Sequence, residues 1–162
     1  MVRWRYWTWT ASMLTPYSGS AQQVVIAGDN YDVLRFNVNA IAGTSWRVPL
    51  EHNQYHLKPE WSLSFMVTNG VVIGNADWHI IDRASLADGA TIAAPNHDNK
   101  ILHAVTNNGA RIWNTAWIAD ASVVQWLPGE WVPIRVQRQA ALDTITDSLD
   151  LFSISMRYRV RG

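Results

Sequence analysis

The chain has 162 residues, thirteen basic and thirteen acidic side chains, and a pI of about 7.0. That balance argues against a nucleic-acid packaging protein, whose affinity rests on Lys and Arg neutralising phosphates. Cysteine is absent, which excludes disulfides, thiolate metal sites and a cysteine nucleophile. The length suits one domain over 1–162, and a chain of this size buries roughly two-thirds of its unfolded surface without covalent staples. No apolar run approaches the ~20 residues of a membrane helix and no signal-peptide pattern opens the chain, so a soluble protein is expected. Ten tryptophans are a strong excess. Each carries a large apolar area and one N–H that needs a partner, so a buried surface beyond the core is expected.

The pattern has period two almost from end to end. The opening "MVRWRYWTW" sets Arg3 and Arg5 between Val2, Trp4 and Tyr6, then hands the apolar face to Trp7 and Trp9. That slip at Tyr6–Trp7 predicts a bulge or bend. "QQVVIA" (22–27) reads as a strand, and in "DVLRFNVNA" (32–40) Leu34, Phe36 and Val38 alternate with Arg35, Asn37 and Asn39. In "EWSLSFMVTNG" (60–70) Trp61, Leu63, Phe65 and Val67 alternate with Ser62, Ser64, Met66 and Thr68. Shorter strands are expected at "VVIG" (71–74), "WHIID" (78–82), "KILHAVT" (100–106) and "RIWNTAWIA" (111–119). "DRASLADGA" (82–90) suggests one helical turn with Asp82 as its cap. In "EWVPIRVQRQ" (130–139) Val132, Ile134 and Val136 face away from Arg135 and Gln137, and Pro133 marks an edge or bulge. Leu142, Ile145 and Leu149 fall at roughly helical spacing, so 138–152 holds a short helix or a long loop. The chain closes on "LFSISMRYRVRG", where Phe152, Ile154, Met156, Tyr158 and Val160 alternate with Ser153, Ser155, Arg157, Arg159 and Arg161.

Turn residues punctuate these runs at 28–30, 68–70, 87–89, 95–99, 107–109 and 128–130. About eight to ten antiparallel strands with long loops predict an all-β, single jelly-roll sandwich. The Cys…Trp…Cys pattern of immunoglobulin-like sandwiches is missing.

Little in the chain asks for catalysis. No Gly-x-Ser-x-Gly elbow, phosphate loop or dinucleotide fingerprint occurs. Glu51, Glu60 and Glu130 are the only glutamates, and nothing pairs two carboxylates as a glycosidase requires. No enzyme and no cofactor is expected. His52 and His56 in "HNQYH" lie between Pro49 and Pro59 and read as loop. On a strand they would share a side but stand about 13 Å apart. These two, with His79, His97 and His103, read as loop or core histidines rather than metal ligands. Asp29, Asn30 and Asp32 in "GDNYD" could hold calcium only weakly, and Asx-turn roles account for them better. Asp143, Asp147 and Asp150 form a second acidic cluster.

The tryptophans divide. Trp61 sits on an apolar face and reads as core. Trp131 is out of phase with Val132, Ile134 and Val136, so it is expected to face out. Trp113 and Trp117 are four apart and Trp7 and Trp9 two apart, so each pair is expected on one side of a strand. Exposed pairs of this kind suit a platform for sugar rings or anchors in a subunit interface. At least half of the tryptophans are expected in the core.

The terminal arginines have three accounts: charges that discourage edge pairing, a basic face for phosphates, or pairing with a neighbour's Asp143, Asp147 or Asp150. A jelly roll makes the first and last strands neighbours, which would align Arg3 and Arg5 with Arg157, Arg159 and Arg161. Like charges side by side are unfavourable, so an external anionic partner is favoured.

The strand "DVLRFNVNA" after a polar N-terminal segment, a middle of strands and long loops, and the final "DLFSISMRYRVRG" resemble the single jelly-roll capsid proteins of icosahedral viruses. The resemblance is to the small major capsid proteins of membrane-containing bacterial and archaeal DNA viruses. It implies a structural virion protein that assembles with copies of itself and other capsid proteins. It further implies anionic lipid of an internal membrane as a partner and no sequence-specific nucleic acid, since a long basic N-terminal arm is missing. "EWSLSFMVTNG" and "GEWVPIRVQ" are also similar to strands of lectin-like sandwiches and carbohydrate-binding modules. That resemblance implies sugar binding by exposed aromatics, in such a module or in a phage tail-fibre or receptor-binding domain.

Overall fold

The computed structural model describes residues 1–17, 21–26, 31–49, 59–67, 73–109, 111–121 and 126–161. They form twelve strands and one 3-10 turn. The strands are β1 (Val2–Thr10), β2 (Thr15–Pro16), β3 (Gln22–Ile26), β4 (Tyr31–Phe36), β5 (Ile41–Arg47), β6 (Glu60–Val67), β7 (Gly74–Asp82), β8 (His97–Val105), β9 (Arg111–Asn114), β10 (Ile118–Ala119), β11 (Trp131–Arg138) and β12 (Leu149–Arg161). Two antiparallel sheets pack as a jelly-roll β-sandwich. Sheet A runs β10-β6-β12-β4-β3, with β1 also on β12 and β9 also on β6; sheet B runs β2-β5-β11-β7-β8.

The 13-residue β12 organises sheet A. One edge pairs with β6; the other pairs first with β4 at Leu149–Leu151 and then with β1 from Ser153 onward. The register slips by one residue between Leu151 and Ser153. Leu149 and Leu151 therefore face the core before the slip, and Ile154, Met156 and Tyr158 after it. The bulge expected at Tyr6–Trp7 is not there: β1 pairs without a break from Val2 to Thr10. Pro133 lies in β11, flanked by β5 and β7, but the β7 pairing begins only at Arg135, so its missing N–H takes no bond from that side.

Trp9, Trp46, Trp61, Trp78 and Trp126 are all buried. Trp9 stacks on Trp61 at 6.2 Å, Trp126 meets Trp61 at 6.4 Å and Trp46 at 5.2 Å, and Tyr158 lies 5.9 Å from Trp46. This cluster fills one part of the sandwich from both sheets. Phe36, Phe65 and Trp78 form a second aromatic contact set.

The helical turn expected at 82–90 does not form, and of the short helix or long loop expected over 138–152 the loop is observed. Asp82 ends β7 instead of capping a turn, and the chain from 139 to 148 is a loop built around the fully buried Arg138. Its guanidinium donates from Nε and Nη2 to Asp143 at 2.7 and 2.8 Å, and also to the carbonyls of Phe36, Ile145 and Asp147. The loop carbonyls thus find a cation where a helix would have given them amides. Strand β5 carries no clear alternation because small Ala42 and polar Thr44 share the face of buried Trp46 while Ile41 lies on the other face, where Gly43 is covered by the Tyr17 ring, 3.1 Å from where a Cβ would stand.

Arg138→Ala strands a buried carboxylate and three carbonyls, and is expected to destabilise the fold by about 3–5 kcal/mol. Replacing both Arg138 and Asp143 with apolar residues of similar volume removes the stranded carboxylate but leaves the three carbonyls and the Asp77 and Ile145 amides without these partners, so only a partial recovery is expected. Urea unfolding midpoints of the two variants measure the difference.

Candidate functional site

The β1–β12 register decides where the arginines go. Trp4 pairs with Arg159, Tyr6 with Arg157 and Val2 with Arg161, whereas Arg3 pairs with Val160 and Arg5 with Tyr158. Directly opposed residues share a face. Arg157 and Arg159 therefore lie on the outer face, and Arg3 and Arg5 on the other face, where both remain exposed. The expected single row of five arginines does not exist. Arg161 pairs through its backbone, and its side chain lies outside the described residues.

The outer-face arginines have partners within the chain. The Arg157 guanidinium carbon sits 4.4 Å from the Trp4 ring centre and 4.6 Å from that of Trp117. Its Nε donates to Glu60 Oε2 at 2.6 Å, with Nη2 at 2.5 Å from the same oxygen. Arg159 lies 4.7 Å from the Trp4 ring. Tyr6, 59% exposed, meets the edge of Trp117 at 6.0 Å. The result is a continuous outer strip of Tyr6, Trp117, Arg157, Trp4 and Arg159. Beside it run hydroxyls and amides: Thr8 and Ser155 share a hydrogen bond at 3.0 Å, and Ser64 donates to Asn114.

Two carboxylates of the acidic cluster are occupied, while the Asp147 side chain is exposed. Asp143 holds Arg138, and Asp150 accepts from Arg35 Nε at 2.8 Å and Nη2 at 3.0 Å. Neither of these two carboxylates is available to a neighbour's arginines, which removes Asp143 and Asp150 from that account. Asp32 is exposed on β4, while Asp29, Asn30, Glu51, His52 and His56 lie outside the described residues.

The other sequence-expected aromatics scatter. Trp7 is 45% exposed on the inner-face side of β1, against Trp46 and Trp9. Trp9 is buried, which corrects its expected exposure, because its partner Ile154 faces the core. Trp131 is half exposed beneath Arg47, on the outer face of sheet B. Trp113 and Trp117 do not share a side. Thr115 lies between them and both donates its N–H to the Leu63 carbonyl and accepts the Leu63 N–H on Oγ1, each at 3.0 Å. This break in the ladder leaves Trp113 against His103 and the core and turns Trp117 outward to Arg157. Sequence reasoning did not single out Trp4, Tyr6 and Glu60 as site residues; the only signal for them was their alternation with arginines and their position at strand starts.

Of the described histidines, His79 and His97 sit beside carboxylates, whereas His103 lies edge-on to Phe65 and Trp113. His79 bridges Asp98 at 2.7 Å and Asp77 at 3.1 Å. Burial pushes His103 below its ordinary value. His97, Asp82 and Asp120 offer ligand atoms that all lie within 4.8 Å of one another. Burial first, then the charge of Asp120, pushes Asp82 from the ordinary 3.8 up to about 9.

A carboxyl raised in the fold holds a proton that the unfolded chain has already released. Its contribution to stability is present in full below about pH 4 and is lost as pH rises towards about 9. In buffer with a chelator, the melting temperature of the parent is expected to fall more steeply over that window than that of Asp82→Asn. Equal slopes for the two proteins would contradict the shift.

No family model matches the chain, and no curated protein matches it. In fold it is similar to a family 35 carbohydrate-binding module from Clostridium thermocellum, with 13% identity over 94% of this chain and 97% of that one and a TM-score of 0.45. A family 35 module from Paenibacillus barcinonensis gives 12% identity, 92% and 96% coverage and a TM-score of 0.46. The Podospora anserina GH26-CBM35 β-(1,4)-mannanase gives 6% identity and a TM-score of 0.49, covering 97% of this chain but only 28% of the mannanase chain. At these identities the likeness concerns the fold. The capsid-protein expectation is corrected: the solved structures named here are carbohydrate-binding modules and an enzyme that carries one, not shell proteins. Its physical premise fails as well, because Arg157 and Arg159 are met by Trp4, Trp117 and Glu60, and Arg3 and Arg5 are on the other face. Among the described residues, the outer face carries no row of unmet arginines that would call for anionic lipid.

Proposed function

We propose that the chain is a non-catalytic carbohydrate-binding module that takes a polysaccharide on the outer face of sheet A. The observation that carries this is the exposed Tyr6 ring set against a half-buried Trp117 and joined to a guanidinium clamped between two indoles. A pyranose ring presents apolar C–H faces and a polar rim of hydroxyls. Aromatic rings answer the first, and fixed N–H donors, hydroxyls and amides beside them answer the second. Arg157 is held by Trp4, Trp117 and Glu60 before any ligand arrives, so little side-chain entropy is lost on binding. The same arrangement supports a binding role over hydrolysis. Glu60 is the strip's carboxylate among the described residues and is committed to Arg157, whereas glycoside hydrolysis uses two acting from either side of a bond.

Native affinity electrophoresis against a panel of neutral and acidic plant and microbial polysaccharides tests this. Retardation by at least one is expected. Trp117→Ala and Tyr6→Ala are each expected to weaken it by about tenfold or more, as loss of a central aromatic contact does. Trp131→Ala, on the outer face of sheet B, is expected to leave it unchanged. No retardation by any member of the panel, or retardation indifferent to Tyr6 and Trp117, would overturn the reading.

A further inference from the structure

We infer that Asp82, His97 and Asp120 form a binding site for a divalent transition-metal ion of the zinc class, and that the ion joins the two sheets. Asp82 and His97 are the closing register pair of the β7–β8 hairpin in sheet B. Asp120 directly follows β10 of sheet A. One ion bound to all three would therefore bridge the sandwich.

Three observations carry the inference. First, Asp82 is fully buried with Asn99 and the Asp120 carboxyl beside it, yet neither of its carboxylate oxygens completes a well-formed hydrogen bond, and Nδ1 of His97 is also without one. Buried polar atoms are nearly always satisfied, so an orphaned carboxylate and imidazole aimed at each other point to a missing partner. Second, the spacing fits. Asp82 Oδ1 and His97 Nδ1 are 3.6 Å apart, too long for a hydrogen bond. Two tetrahedral ligands with metal bonds of about 2.1 Å stand about 3.4 Å apart, so an ion fits between these two atoms with almost no movement, and the Asp120 oxygen, within 4.8 Å of them, closes in to complete the set. Third, outer partners already hold one ligand, Asp120. Asp120 Oδ2 accepts Trp61 Nε1 at 3.0 Å and Asn99 Nδ2 at 3.2 Å, and Asn99 Oδ1 accepts the Ala121 N–H at 2.7 Å. Such second partners orient ligands at metal centres.

The ligand set selects the ion. Two carboxylates and one imidazole suit zinc, cobalt or manganese, whereas calcium takes six to eight oxygens. His97 is about one-fifth exposed, so solvent reaches the site along that side chain and water can complete the coordination.

The full chain, stripped with a chelator and dialysed, is titrated with Zn²⁺ by calorimetry and by thermal denaturation. One ion per chain is expected at this site, with a raised melting temperature that excess chelator abolishes. Co²⁺ in its place is expected to give the visible bands of a low-coordinate N/O site. Asp82→Asn and His97→Gln, two near-isosteric changes on different strands, are each expected to remove the melting shift. Asn99→Ala is expected to weaken binding by about 10–100-fold, the loss typical of an outer partner. His103→Gln is expected to change nothing. A parent melting temperature indifferent to Zn²⁺ and Co²⁺ would overturn the inference and leave a proton shared by Asp82 and Asp120. A shift that persists in folded Asp82→Asn would equally overturn it, placing the ion elsewhere.

Discussion

The antiparallel register between β1 and β12 determines what this protein shows to water. A one-residue change in that pairing would exchange the two faces of β1. As formed, it puts Trp4 and Tyr6 beside Arg159 and Arg157, and sends Trp7 and Trp9 towards the tryptophans between the sheets. Both faces of β1 are aromatic, so hydrophobicity alone does not fix the choice. Trp9 does, by stacking on Trp61 opposite the core residue Ile154. Burial of a tryptophan inside a cluster is worth more than a half-exposed cation–π contact of about 0.5–1 kcal/mol. The outer strip is therefore a consequence of the core.

The slip at Phe152 has a similar reach. β12 must follow β4 with Leu149 and Leu151 inward and β1 with Ile154, Met156 and Tyr158 inward. One extra residue between the two segments reconciles these phases. It also sets the parity that carries Arg157 to the outer face, where Glu60 and Trp117 meet it.

The sandwich was legible because alternation marks half-buried strands wherever serine, asparagine or arginine separates apolar residues, as in β4, β6, β11 and the end of β12. It failed where the backbone answered to something other than periodicity. β5 is disguised by small Ala42 and polar Thr44 on the face of buried Trp46, and by Gly43, which Tyr17 covers. The stretch after β11 has helical spacing at Leu142, Ile145 and Leu149, but Leu142 is exposed and Arg138 binds the loop's carbonyls. The candidate site was legible only in its composition. Counting by twos put Trp113 and Trp117 together, and Thr115, bonding Leu63 through both its backbone and its hydroxyl, separates them. The five arginines were likewise joined by an assumption about register that no single strand contains. The three-residue Asp82–His97–Asp120 group was invisible, since its members come from two sheets and nothing local distinguishes Asp82 from a helix cap.

Trp61 connects these features. Its ring lies in the aromatic cluster, stacked on Trp9 and edge-on to Trp126. Its Nε1–H anchors Asp120. Its backbone pairs with Ile118 on one side and Met156 on the other. Residues adjacent to those two partners, Trp117 and Arg157, meet on the outer face at 4.6 Å. One indole thus touches the core through its face and the buried carboxylate group through its edge, while its backbone aligns the two strands that present the proposed sugar platform. An ion fixing Asp120 would tighten the same short β10 segment that ends next to Trp117. The proposed metal site and the proposed binding face are then mechanically joined through β10, a two-residue strand whose ladder pairing alone is too short to hold a half-buried tryptophan in one place.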